Sequence, residues 1–172
     1  MLSKPQWYAV YTRSRCEKTV AAEFEKQGIE HYLPLITALR QWSDRKKKVR
    51  VPLINSYVFV HINARKHLAV LETFGVVKIL HFNGHPVPIP EYQINNLKIL
   101  LGAQVTLECE PIELEKGQEV KITKGPLAGL RGIIVMIKGK QKLLIRIDAL
   151  RCNMTVDVDH RLVELIGPEA VK

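Results

Sequence analysis

The segment Val120–Val135 reads Val-Lys-Ile-Thr-Lys-Gly-Pro-Leu-Ala-Gly-Leu-Arg-Gly-Ile-Ile-Val, two alternating apolar stretches around a loop rich in glycine and proline. Residues two apart share a face of a strand, so Val120 and Ile122 form one inward row, and Ile133, Val135 and Ile137 form another. Gly125 and Gly129 suit positive-φ or crowded positions in the intervening loop, and Pro126 presets the φ of a turn. Downstream, Lys138-Gly139-Lys140 supplies a further turn, and alternation returns at Leu143, Ile145 and Ile147, then at Met154, Val156 and Val158. With a short final strand over Leu162–Ile166, five strands in a short span predict a small SH3-like barrel, an arrangement that limits open edges.

Upstream the pattern changes from meander to alternating strands and helices. Trp7–Thr12 is aromatic and β-favouring, which predicts a strand. Cys16, Val20 and Phe24 then recur at four-residue spacing, with Ser14 and Glu17 placed to form a capping box and Gly28 to end the helix. A short strand is expected at Glu30–Leu33, closed by Pro34, and a strong one at Ser56–Ile62. Asn63 can cap a second helix whose apolar face would be Ala64, His67, Leu68, Leu71 and Phe74, ending at Gly75. A strand at Val76–Leu80, a tight turn at Asn83-Gly84, and a third helix from Pro90 with Ile94, Leu97 and Leu101 in line complete the half. This order is the split βαβ of a ferredoxin-like domain. The expectation is an α+β chain, with a ferredoxin-like domain over 1–102, a linker over 103–115, and the barrel over 116–172.

The chain of 172 residues carries a net charge of +9, divided as +8 over 1–102, −3 over 103–118 and +4 over 119–172. A basic surface of this kind favours polyanions, above all nucleic acid. The charge concentrates between the second and third strands, where Arg40-Gln41-Trp42-Ser43-Asp44-Arg45-Lys46-Lys47-Lys48-Val49-Arg50 holds six basic residues and one acid. Such a run is either a solvated hairpin that aids solubility or a phosphate-binding arm. In the second reading Arg40, Arg45, Lys46, Lys47, Lys48 and Arg50 meet phosphates, and Trp42 offers a stacking face to an unpaired base.

Cys16, Cys109 and Cys152 are odd in number and widely spaced, which fits neither a disulfide framework nor a zinc site and is consistent with a reducing cytoplasm. No apolar run approaches a membrane span, and the first residues lack the apolar region of a signal peptide, so a soluble protein is expected. The six histidines form no His-Glu-x-x-His pair, and the glycines of 125–132 are followed by strand rather than helix, unlike a nucleotide-binding loop. Gly-x-Ser-x-Gly and dinucleotide fingerprints are missing too, so the sequence predicts no enzyme, no metal and no cofactor.

The glycine spacing of Val120–Val135 resembles the KOW motif, which occurs in NusG-type elongation factors and several ribosomal proteins. A split βαβ domain joined to a KOW barrel is similar to the bacterial NusG family over nearly the whole chain. The segments Trp7–Arg13, Glu17-Lys18, Tyr32–Pro34, Arg40–Lys46, Pro52-Leu53 and Tyr57–Val60 further resemble its specialised UpxY-type paralogues, which promote transcription of polysaccharide operons. The resemblance implies a cytoplasmic, monomeric antitermination factor that binds RNA polymerase and DNA or nascent RNA, and does not bind membranes. Its polymerase-facing residues would be Ile54 and Tyr57, with Trp7 and Tyr11 nearby, though each aromatic could equally belong to the core. The barrel loop, Lys124, Gly125, Pro126, Leu127 and Gly129, would meet a ribosomal or termination-factor partner. Two positions depart from the family: Asn55-Ser56 replaces the usual Pro-Gly, and Leu127 the frequent phenylalanine. An RNA-binding or ribosome-associated KOW protein is the competing expectation.

Overall fold

The computed structural model describes residues 4–41, 46–103, 117–137 and 139–166. Trp42, Arg45, the expected linker beyond 103 and the segment from 167 onward lie outside the described residues. The chain forms two compact units, Met1–Pro90 and Glu91–Lys172.

The first unit is built on strand β1 (Gln6–Thr12), helix α1 (Glu17–Lys26), β2 (His31–Tyr32), a β3–β4 ribbon (Leu35–Gln41 and Lys46–Pro52), β5 (Tyr57–Ile62), α2 (His67–Glu72) and β6 (Val76–Ile79). A small β7–β8 hairpin (His81–Phe82 and His85–Pro86) and β9 (Pro88–Ile89) follow. The sheet order is β2-β5-β1-β6, all antiparallel, with β9 also pairing β1. Disregarding the ribbon and hairpin, this is the ferredoxin-like order expected from sequence. One face of the sheet, Val10, Val58, Val60, Ile62 and Ile79, packs on Val20 and Phe24 of α1 and Val70 of α2. Phe24 is wholly buried, and burial of a phenylalanine side chain contributes about 1.5–3 kcal/mol.

Two local expectations are corrected. Ser14 does not cap α1: Cys16 occupies the N-cap position without a side-chain hydrogen bond, and Glu17 turns inward to another partner. The expected apolar face of the second helix is also displaced. Asn63 does cap as expected, accepting from the Arg65 N–H, but what it starts is a 3₁₀ turn, Ala64–Lys66. Only then does α2 begin, and a turn of three residues shifts the phase of everything after it. Val70 and Thr73 consequently point inward, while Leu68, Leu71 and Phe74 are exposed.

The second unit contains α3 (Glu91–Gly102), β10 (Glu119–Ile122), β11 (Arg131–Ile137), β12 (Lys140–Ile147), β13 (Cys152–Asp157) and β14 (Val163–Leu165). The strands form one antiparallel SH3-like sheet in the order β13-β12-β11-β10-β14, with the last strand returning beside the first. Val120, Ile122, Leu143, Ile145, Ile147, Met154 and Val156 are buried, as their alternation predicts. Leu144, on the opposite side of β12, is buried as well, and α3 accounts for this by packing on β11 and β12. Two buried amides fix the helix there. Asn96 donates from Nδ2 to the Arg131 carbonyl at 2.8 Å and accepts the Arg131 N–H at 3.0 Å. Gln93 donates to the Asp148 carboxylate at 2.7 Å and accepts the Asp148 N–H at 3.3 Å. Gly132 permits close strand pairing, since a Cβ there would stand 2.5 Å from the Leu144 carbonyl oxygen. Among the described residues, no helix is long and apolar enough to cross a membrane.

Candidate functional site

In the first unit, the antiparallel register places Tyr11 of β1 directly opposite Tyr57 of β5. Their rings lie 5.4 Å apart, tilted by 58°, with Tyr11 36% exposed and Tyr57 half-buried. Burial, and secondarily Tyr11, push the Tyr57 hydroxyl pKa upward, so this phenol stays protonated past its ordinary range. Ile54, half-buried, lies in the turn that leads into β5. Trp7 differs from its expected neighbours. It is 5% exposed and stacks on His61 at 5.0 Å, so it supports the sheet from within. The exposed aromatic pair is therefore Tyr11 and Tyr57, not all three rings.

The turn before Tyr57 depends on a residue that sequence reasoning assigned elsewhere. Ser56 adopts φ +62°, the left-handed region that costs a non-glycine residue about 1–2 kcal/mol. Its N–H donates to Glu17 Oε1 at 2.7 Å, and its carbonyl accepts the Thr12 N–H at 2.9 Å. Glu17 is 6% exposed, and a buried carboxylate needs such donors. The departure from Pro-Gly at Asn55-Ser56 was legible in the sequence; its consequence, a serine held in a glycine-like conformation by α1, was not.

The basic segment forms the β3–β4 ribbon, paired from Leu35↔Pro52 to Gln41↔Lys46. Alternation puts Lys46, Lys48 and Arg50 on one face and Lys47 on the other, with Arg40 paired to Lys47. Lys46, Lys47, Lys48 and Arg50 are exposed, and so is Leu39. Lys18 of α1 donates from Nζ to the Arg50 carbonyl at 2.6 Å, and the Leu53 N–H donates to the Pro34 carbonyl at 2.8 Å, which fixes the ribbon at its root.

In the second unit, the β10–β11 loop presents Lys124, Gly125 and Pro126 at its exposed tip, with Leu127 and Gly129 half-buried. Gly125 and Gly129 have φ +85° and +91°, as their loop positions predict, and the Gly129 N–H closes the loop on the Ile122 carbonyl at 2.8 Å. Among the described residues, no group of three or more His, Cys, Asp or Glu side chains is placed to hold a metal ion.

A family model described as NusG, transcription termination factor nusG, matches residues 5–98, more than half of the chain. The transcription termination/antitermination protein NusG of Campylobacter jejuni is 27% identical over 163 residues, covering 85% of this chain and 90% of that protein. Among solved structures, the chain is similar to one titled for domain interaction in Thermotoga maritima NusG, at 26% identity, 95% and 98% coverage of the two chains, and a TM-score of 0.49. It is also similar to an MjSpt4:Spt5 complex at 21% identity, 94% and 97% coverage, and a TM-score of 0.27.

Proposed function

This chain belongs to the NusG family of transcription termination and antitermination factors, and from that membership we propose that it binds RNA polymerase and suppresses pausing or termination at specific operons, such as those for polysaccharide biosynthesis. The observation that carries this reading is the Tyr11–Tyr57 pair, set on paired strands. Half-exposed aromatics on a sheet fit an apolar partner surface, where a few such side chains dominate affinity. The β3–β4 ribbon supplies a cationic surface for DNA or nascent RNA, and the protein acts as a cytoplasmic monomer. Polymerase should co-purify with the chain after nuclease treatment. A Tyr11→Glu, Tyr57→Glu variant should lose it, since hot-spot losses of 2 kcal/mol or more each correspond to roughly 30-fold in Kd. Retention of polymerase by that variant would refute this interface.

The exposed loop tip at Lys124–Pro126 favours one second reading, in which the barrel holds a ribosomal or termination-factor partner. Co-sedimentation with ribosomal subunits in the absence of polymerase would favour it over the first. An operon-specific factor and a general elongation factor separate on deletion, by whether one transcript or the whole transcriptome changes.

A further inference from the structure

Helix α2 turns Val70 into the core of the first unit and leaves its other side open. Arg65, Leu68 and Leu71 follow one another at three-residue steps through the 3₁₀ turn and α2, so they line that open side. Phe74 comes at the next step, just past the helix end. Leu68, Leu71 and Phe74 are 63%, 44% and 68% exposed. Large apolar side chains grouped in this way mark an interaction surface, whereas single exposed ones need no explanation. Charge adds a second feature. The Arg13 guanidinium stands over the Phe74 ring at 5.8 Å, and Arg65 begins the row, so a cation lies toward each end. Both arginines are exposed, and among the described residues neither is paired with a carboxylate. Glu72, also exposed, is the one acid of α2.

These features select the occupant. A nucleic-acid backbone would meet apolar side chains and Glu72 where it needs a run of cations. A second copy laid on the same row would bring an arginine of one chain against an arginine of the other, and like charges oppose association. A helix with apolar side chains on one face and carboxylates toward its two ends suits both the row and its guanidinium groups. From residue 65 to 74 the row spans about 15 Å at 1.5 Å per residue, the length of a three-turn helix. We propose that the outer side of α2 docks an acidic amphipathic helix of a partner protein. Leu68, Leu71 and Phe74 receive its apolar face, and Arg13 and Arg65 pair with its carboxylates. The surface uses none of the residues assigned above to polymerase or nucleic acid, so its failure leaves those readings untouched.

The test uses the full chain and two fluorescein-labelled peptides of about 14 residues, which share leucines at i, i+3, i+4 and i+7 spacing. One carries glutamates toward both ends and the other lysines in their place. By anisotropy the glutamate peptide should bind and the lysine peptide should not. Leu71→Ser with Phe74→Ser, both at exposed positions, should raise the Kd of the glutamate peptide about 10-fold or more. Arg13→Glu with Arg65→Glu should reverse the preference, so that the lysine peptide binds better, a result that loss of structure cannot produce. Lys46→Gln, Lys47→Gln, Lys48→Gln should leave binding of the glutamate peptide unchanged. The proposal is overturned if the glutamate peptide shows no saturable binding, if the lysine variant of the ribbon abolishes it, or if the charge-swapped protein keeps wild-type circular dichroism without reversing the preference. Dimerisation in sedimentation that Leu71→Ser with Phe74→Ser abolishes would instead assign the row to a second copy. Flotation with phosphatidylcholine–phosphatidylglycerol vesicles, lost in the same variant, would assign it to a membrane surface.

Discussion

Removal of the Glu17 carboxylate should destabilise the first unit by an amount that thermal unfolding resolves. A hydrogen bond to a charged acceptor contributes about 1.5–3 kcal/mol, and Glu17→Ala leaves the Ser56 N–H without this acceptor at 2.7 Å. The same change releases the restraint on a serine held at φ +62°. A loss of about 2–3 kcal/mol follows. For a unit of this size each kcal/mol shifts Tm by roughly 4–8 °C, so the first unit should melt about 10–20 °C lower. Thermal unfolding of the full chain followed by circular dichroism reads this directly. Ser56→Gly in the wild-type background should move Tm slightly upward. Glycine relieves the left-handed penalty of about 1–2 kcal/mol but returns about 0.5–1 kcal/mol to the unfolded chain. A Glu17→Ala protein with Tm within about 2 °C of wild type, a change of under about 0.5 kcal/mol, would refute the claim that this carboxylate holds the turn.

Asn96→Ala should cost the second unit about 2 kcal/mol, because it removes the two buried hydrogen bonds between the Asn96 amide and the Arg131 backbone, and amide exchange at Arg131 should accelerate. Gly132→Ala should lower the urea midpoint of that unit by the equivalent of about 1–3 kcal/mol, since a carbonyl 2.5 Å from the new Cβ cannot rotate away as a side chain could. Burial pushes the Tyr32 pKa from 10.0 to about 12, so the folded state holds this proton more tightly than the unfolded state. Its contribution is therefore complete below pH 10 and is lost as pH rises through about 12, a decline that Tyr32→Phe should flatten in alkaline unfolding curves. His67 has the opposite sign: burial, then His81, lower its pKa, so stability should fall as pH drops below the usual histidine range, and His67→Phe should remove that dependence.

The parts of the fold that sequence made legible are those where one period governs a whole element. Val120, Ile122, Leu143, Ile145 and Ile147 alternate and are buried; Val20 and Phe24 repeat at helical spacing and are buried. Sequence reading failed where a local choice changed the phase or the partner. The 3₁₀ turn at Ala64–Lys66 exposes Leu68 and Leu71, and apolar spacing alone carries no sign of it. Gln93 and Asn96 lie at 1% and 2% exposure on α3, at positions where polar side chains read as solvent-facing. What makes them interior is the pairing each finds on β11 or beyond β12, a tertiary fact. The basic ribbon was legible as charge, but its division into a Lys46, Lys48, Arg50 face and a Lys47 face needed the register.

Glu17 and Lys18 show why these two levels cannot be separated at the candidate site. They are neighbours in the first turn of α1, of opposite charge, and they leave the helix in different directions. Glu17 binds the turn that leads to Tyr57, and Lys18 binds the ribbon at Arg50. Because α1 is itself fixed by Val20 and Phe24 in the core, both contacts refer to the same rigid body. The proposed polymerase-facing pair and the proposed nucleic-acid track are thereby held in one frame by adjacent residues. It follows that Lys18→Met should loosen the ribbon and weaken nucleic-acid binding while leaving the Tyr57 turn intact, whereas Glu17→Ala should do the reverse. Equal effects of the two substitutions on both activities would mean that α1 contributes only general stability, and that the ribbon and the turn are positioned by other contacts.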